Sequence, residues 1–326
     1  MIDFKVGIMG AGNIAGTVAE TLNNLDAFVP YAVASRDINK AREFGDKYYI
    51  GKCYGSYEEM INDPDVELIY IATPHAFHAE QAKMCINAGK PVLVEKSFSY
   101  NLATAEEVLK LSEEKNVFCG EAMWMRFLPM YQLMKEYIDK GLIGNVRCLN
   151  CSLGYDLKSV ERLTDPQLAG GALLDLGVYI LNLVAVIFGP QPFSVTSSCA
   201  TTSAGVDCHE VMQFIFKNGA VASGVATFLY KADNTVKIYG DRGYIEIDNL
   251  ISPNVFRIYQ GDGKMVVETK LPDRQISGYE FEFLAARDAI ILGKTYCEEM
   301  PHSETLRIMK LMDMLRNAWK IKFPME

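Results

Sequence analysis

The chain has 326 residues, too many for one ordinary hydrophobic core and enough for two domains of common size. With 49% apolar and 22% charged residues it has the profile of a soluble globular protein, and its net charge of -9 argues against a surface for nucleic acid or another polyanion. A local basic pocket for one phosphorylated ligand is still compatible with that balance.

FKVGIM reads as a first strand rather than as a cleavable leader. Helical and strand spacing then alternate: NIAGTVAETLNNL, PYAVAS, INKAREFGDKY, the short KCYG, SYEEMIND and the strongly apolar VELIYIAT. HAFHAEQAKMCINAG, PVLVEK, TAEEVLKLSEEKN and VFCGEA continue the series to about residue 121. Such alternation requires crossover connections, and so a parallel, doubly wound sheet with helices on both faces.

LPMYQLMKEYIDKG is a transitional helix, after which the pattern changes. Residues 146–153, VRCLNCSL, have strand character, and a glycine-flanked helix is expected around 170–188. Paired runs follow, joined by turn dipeptides: VMQFIFK-NG-AVASGVATF, VKIYG-DRG-YIEID and VFRIYQ-GDG-KMVVET. Helices near 279–292 and 303–320 close the chain. The expectation is an α/β protein in two parts. Residues 1–121 form a nucleotide-binding parallel sheet. Residues 122–326 form an α+β domain with a large open, mostly antiparallel sheet, covered by helices or by another subunit.

The eight cysteines are scattered; Cys148 and Cys151 come nearest to a pair, yet on a strand they point to opposite faces. His75 and His78 stand three apart with no carboxylate motif to complete a zinc site, so no metal is expected. Reduced thiols suit a cytoplasmic protein. The segment LLDLGVYILNLVAVIFG reads as falling short of the roughly 20 residues of a membrane span.

Gly10, Gly12, Asn13, Ile14 and Ala15 lie in GAGNIA, directly after the first strand and opening a helix. Gly10 permits the tight turn, Gly12 lets the backbone approach a pyrophosphate, and Ala15 allows close helix–strand packing. The helix N-terminus supplies free N–H groups to phosphate. At the second strand's tip, Ser35 and Arg36 stand where NAD-binding sheets usually place an acid, which favours a 2′-phosphate and NADP, with NAD as the alternative. Asp37 immediately precedes a helix and reads as its cap.

Thr73, Pro74, His75 and His78 follow VELIYIAT, at the carboxyl end of a strand where ligands of such sheets bind. Glu95 and Lys96 occupy the next strand's tip and face the same crevice. In the second domain, Asp175, Tyr179 and Asn182 stand at i, i+4 and i+7 on an otherwise apolar helix. A structural hydrogen-bond network is the plain account of that stripe. Together with a lysine, Tyr179 becomes a proton donor and acceptor.

Taken together, GAGNIA, ATPHAFH, GKPVLVEKSFSYN, GGALLDLGVY and MWMRFLPMY followed by KGLIGNVR resemble the glucose–fructose oxidoreductase / inositol dehydrogenase / MocA (Gfo/Idh/MocA) family over nearly the whole chain. They are most like its dimeric dihydrodiol dehydrogenase and NADP-dependent xylose dehydrogenase branch. The resemblance implies a Rossmann domain, a bound nicotinamide cofactor, and hydride transfer on a sugar, polyol or trans-diol. It also implies a homodimer or higher homo-oligomer through the open sheet. The family's catalytic lysine maps onto Lys96 and the branch's acid/base tyrosine onto Tyr179. Beside that mapping, Asp175 would orient Tyr179 or hydrogen-bond the substrate. Glu95, Trp124 and Arg126 would border the cofactor. Ser97 replaces the family's usual proline after the Glu-Lys pair. Three alternatives stay open: a cofactor-binding regulatory protein, an NAD-dependent glycoside-cleaving enzyme, and a non-enzymatic interaction module.

Overall fold

The computed structural model describes residues 3–189, 192, 194–271 and 274–326. The first sheet alternates with its helices in the order β1 (Phe4–Met9), α1 (Asn13–Asn23), β2 (Phe28–Ala34), α2 (Ile38–Tyr48), β3 (Lys52–Tyr54), α3 (Tyr57–Ile61), β4 (Leu68–Ile71), α4 (His75–Asn87), β5 (Val92–Glu95), α5 (Leu102–Lys115) and β6 (Cys119–Ala122). Its strands lie in the order β3-β2-β1-β4-β5-β6, and every pairing is parallel. Strands covered on both faces have no polar side to show, and β4 and β5 are buried at every residue. The order reverses beside β1, so β1 and β4 flank the switch point where such sheets bind ligands.

The second sheet follows α6 (Pro129–Asp139). Its elements are β7 (Val146–Gly154), α7 (Glu161–Thr164), α8 (Val178–Phe188), β8 (Ser194–Thr201), β9 (Asp207–Ile215), β10 (Val221–Thr227), β11 (Val236–Gly240), β12 (Gly243–Ile247), β13 (Val255–Gln260) and β14 (Met265–Lys270). The strands run β14-β13-β12-β11-β7-β10-β9-β8, antiparallel except for β10 against β7. The expected Asn-Gly hairpin closes β9 onto β10: Gly219 adopts φ +78°, and Phe216 donates its N–H to Ala220 at 2.9 Å. β8 was not anticipated; its sequence SVTSSCAT is polar because it is an edge strand, half exposed along its length. Helices α9 (Glu280–Ile291) and α10 (His302–Trp319) complete the chain.

Two compact units result: Met1–Trp124 with Ile276–Met309, and Met125–Gln275 with Lys310–Glu326. A single boundary after residue 121 therefore assigns Ile276–Met309 to the wrong part. The returning segment is built into the first unit by specific contacts. Ser277 and Thr21 hydroxyls meet at 2.8 Å, Phe283 packs on Tyr70 with ring centroids 5.3 Å apart, and His302 Nε2 reaches the Cys119 carbonyl at 2.9 Å.

The apolar helical run also needs correction. Pro166–Phe188 spans 23 residues, long and apolar enough to cross a membrane, but 89% of that apolar window is buried inside the protein. It is a core helix.

Candidate active site

The glycine turn after β1 is built as its sequence demands. Gly10 has φ +109° and a Cβ there would stand 2.9 Å from the Ala72 carbonyl oxygen, so both conformation and space exclude a side chain. Gly12 is the N-cap of α1, without a side-chain cap, and a Cβ would meet nothing within 4 Å. Open space at Gly12 is what a pyrophosphate approaching the backbone needs, and Asn13 and Ile14 present the first-turn N–H groups beside it.

At the β2 tip, the Asp37 carboxylate accepts the Asn39 N–H at 2.9 Å and caps α2, the role expected of it. Ser35 Oγ accepts the Asp37 N–H at 3.3 Å. Arg36 is exposed, with its guanidinium 5.6 Å from the centre of the Phe77 ring. A hydroxyl and a cation thus stand at the tip while the acid is engaged with the helix.

Beyond β4, Thr73 donates its hydroxyl to Gln81 Oε1 at 2.5 Å and Pro74 precedes α4 as its N-cap. His78 is fully buried between two carbonyl groups, Nδ1 at 2.9 Å from Ser97 O and Nε2 at 2.7 Å from Thr73 O. It therefore ties the loop after β4 to the loop after β5, beside Lys96. His75, also buried, stands edge-on to it at 5.7 Å.

The β5 tip carries Glu95, buried, and Lys96, half-buried; the Lys96–Ser97 peptide bond is cis. Tyr70 donates its phenolic hydrogen to Glu95 Oε1. Burial, with Glu95 and Glu282 nearby, pushes the Tyr70 phenol well above its ordinary range. Glu282 lies in the same environment, and burial together with Glu95 raises its carboxyl well above the carboxylate range. Trp124 stacks on Tyr279 at 4.5 Å, so the returning segment contributes there as well.

In the second unit, Asp175 does not share an α-helical stripe with Tyr179 as the spacing suggested. It sits in a π-helical turn, Leu173–Gly177, whose extra residue per turn displaces it from the α8 register. Its buried carboxylate is held by Arg162 at two points, 2.9 and 3.3 Å. Tyr179 is buried at the first turn of α8. Asn182 donates to the Val178 carbonyl at 2.9 Å and accepts from Arg126 at 3.1 Å, which places Arg126 in the second unit's network. Two further acids back the π-turn: Asp207 accepts the Leu173 N–H at 2.6 Å, and a Cβ on Gly177 would collide with Glu210 Oε1 at 2.1 Å.

The first unit thus gathers Gly10, Gly12, Asn13, Ile14, Ser35, Arg36, Thr73, Pro74, His75, His78, Glu95, Lys96 and Trp124; the second holds Arg126, Asp175 and Tyr179. Arg162, Glu282, Asp207 and Glu210 escaped the sequence reading. A charged residue inside an otherwise apolar period was the available signal for Glu210, in HEVMQFIF. Among the described residues, no group of three or more histidine, cysteine, aspartate or glutamate side chains could hold a metal ion.

Comparison with known proteins identifies the family and agrees with the fold. The family described as "Oxidoreductase family, NAD-binding Rossmann fold" matches residues 4–123, and the "GFO/IDH/MocA C-terminal domain" matches residues 131–246. The trans-1,2-dihydrobenzene-1,2-diol dehydrogenase of Mus musculus is 32% identical over 98% of both chains, and that of Bos taurus 31%. Among solved structures, the 3-ketoreductase KijD10 of Actinomadura kijaniata with NADP and TDP-benzene superposes with TM-score 0.88 at 21% identity, over 97% of this chain and 98% of that one. The aldose-aldose oxidoreductase of Caulobacter crescentus does so with TM-score 0.88 at 21% identity, over 98% of each. The chain belongs to the Gfo/Idh/MocA family of oxidoreductases with an NAD-binding Rossmann fold.

Proposed function

We propose that this oxidoreductase is NADP-dependent and moves a hydride between a trans-diol, sugar or polyol carbinol and the nicotinamide. The observation that carries the cofactor preference is the β2 tip, where Ser35 and Arg36 are available while Asp37 is committed to capping α2. An arginine pairs strongly with a 2′-phosphate, whereas an acid at that place would repel it. The substrate class follows from the full-length likeness to trans-dihydrodiol dehydrogenases and from the sugar oxidoreductases that share the fold.

Gly10, Gly12, Asn13 and Ile14 would hold the pyrophosphate, Ser35 and Arg36 the adenosine ribose, and Thr73, Pro74, His75, His78, Glu95, Trp124 and Arg126 would border the nicotinamide half. The nicotinamide supplies the hydride acceptor or donor when bound. Lys96 stabilises the negative charge that develops on the substrate oxygen. Tyr179 takes up or returns the hydroxyl proton, and Asp175, clamped by Arg162, orients it. The reaction is tested by following reduced-cofactor absorbance with NADP and NAD over trans-diols, aldoses and inositols. Lys96→Met and Tyr179→Phe should each lower kcat by about 10²–10⁴-fold. Full turnover in either variant with cofactor bound would refute its role.

The protein is further proposed to work as a homo-oligomer through the second sheet. Cross-strand pairing sets Ile215, Val221, Cys148, Tyr239, Tyr244 and Tyr259 in one row across it, with Ile215 and Tyr239 exposed and Tyr244 stacked on Tyr259 at 4.7 Å. Apolar and aromatic surface of this extent suits a covered face. Ile215→Glu with Tyr239→Glu should yield monomers by light scattering. The eight free cysteines fit a reducing, cytoplasmic setting.

A further inference from the structure

We propose that Glu282, delivered by the returning helix α9, is a positioning residue for the Glu95–Lys96 strand tip, forming with Glu95 a buried carboxyl pair beneath it. Glu282 is completely buried, and neither of its carboxyl oxygens has a hydrogen-bond partner among the described residues. Unpartnered charge in such a place is costly, and a second carboxylate nearby makes it costlier still. Burial, and then Glu95, push the Glu282 carboxyl toward its protonated form. The two acids are brought into one neighbourhood by packing: Phe283, the next residue on α9, packs on Tyr70, and Tyr70 is the residue that donates to Glu95.

One proton in the pair leaves a single negative charge next to Lys96. Were both carboxyls charged, their repulsion would push β5 and α9 apart at the tip that carries the lysine. The other titratable groups facing the pair are Tyr70 from β4, Tyr279 from the turn before α9, and Cys297. Tyr70 and Cys297 are themselves pushed up by burial and neighbouring acids. This inference rests on Lys96 serving the proposed reaction, and for that reason its test includes a readout that needs no turnover.

Wild type, Glu282→Gln and Tyr70→Phe are compared from pH 7 to pH 10. Hydrogen-exchange protection is read for the peptide covering residues 92–101, and kcat and KM are measured alongside. Glutamine keeps the shape and stays neutral. Wild type should lose protection there, and kcat with it, by about tenfold for each unit above the pair's titration. Glu282→Gln should stay flat at high pH and match wild type near pH 7, with KM unchanged. Tyr70→Phe removes the phenol's bond to Glu95 while keeping the ring, and should shift the wild-type transition along the pH axis. Parallel pH dependence in wild type and Glu282→Gln would overturn the proposal, as would a wild type without any transition. A protein inactive on every substrate but showing the exchange pattern would refute the proposed reaction and uphold the pair.

Discussion

Arg162 grips Asp175 through two guanidinium nitrogens, at 2.9 and 3.3 Å, although its own side chain is 44% exposed and the carboxylate 4%. The arrangement fixes a buried acid on a π-helical turn from a short helix, α7, that otherwise buries only Leu163. Removing the arginine takes away this two-point grip on a buried carboxylate. Arg162→Ala should therefore cost about 1–3 kcal/mol in chemical denaturation, less than a fully buried pair because solvent reaches the guanidinium. If Asp175 orients the proton-transferring tyrosine, kcat falls with it while cofactor KM holds. Arg162→Lys should restore charge but not the two-point grip. Unchanged kcat in Arg162→Ala would remove Asp175 from the mechanism.

Cofactor choice is separable from folding at the β2 tip. Arg36 is exposed and makes one ring contact, with Phe77, so Arg36→Ala should leave the unfolding midpoint nearly unchanged. Its loss should raise KM for NADP by about 10–100-fold, the worth of a charge-assisted hydrogen bond, and leave KM for NAD little altered. Asp37→Ala should do the reverse, costing about 1 kcal/mol of stability through the lost α2 cap without changing the NADP/NAD ratio. Equal loss with both cofactors in Arg36→Ala would disprove the 2′-phosphate role.

How far the sequence spoke depends on whether the relevant signal is local. The GAGNIA turn, the Asp37 cap and the Asn-Gly hairpin are each determined within a few residues, and each is present where the pattern put it. Strand alternation made the parallel sheet legible because short connections leave only crossover topologies. The return of Ile276–Met309 was not legible, since α9 reaches Tyr70 and the vicinity of Glu95 only through tertiary packing. A helix starting EFEFLAARDAII shows two first-turn acids that look like ordinary helix-dipole partners. The π-turn was hidden for another reason: LLDLGVYILNL fits an α-helical period, and the acids that meet the turn, Asp207 and Glu210, come from β9, distant in sequence. Likewise β8 lacks the apolar alternation of an interior strand because half of it faces solvent.

The two glycines of the first turn should respond differently to the same added methyl. At Gly10, φ of +109° and a carbonyl oxygen 2.9 Å from the new Cβ predict a folding defect of more than about 1 kcal/mol for Gly10→Ala. At Gly12 nothing lies within 4 Å, so Gly12→Ala should fold with the wild-type midpoint. Its methyl would instead occupy the approach of the pyrophosphate, and NADPH affinity measured by fluorescence titration should fall at least about tenfold, or 1.4 kcal/mol. Wild-type affinity in Gly12→Ala would mean the phosphates do not pass there.

Asp207 and Glu210 set a pH dependence of stability whose sign is opposite to that of a salt-bridged acid. Burial raises Asp207 to about 6 and pushes Glu210 well above the carboxylate range, with Asp207 adding to the latter. A carboxyl whose folded pKa exceeds its unfolded one binds its proton more firmly in the native state. Its contribution is then complete below the unfolded value of 3.8 and is lost as pH rises through about 6. Between pH 4 and pH 7, Asp207 should therefore withdraw about 2 kcal/mol of stability. Asp207→Asn removes the titration while its amide oxygen still accepts the Leu173 N–H, so the variant should gain on wild type steadily as pH rises through 6. Glu210→Gln should gain at higher pH, where the second acid would otherwise ionise. Urea unfolding at half-unit pH intervals measures both slopes. If wild type and Asp207→Asn keep a constant difference from pH 4 to pH 8, the acid behind the π-turn titrates as it would in water and does not govern the turn.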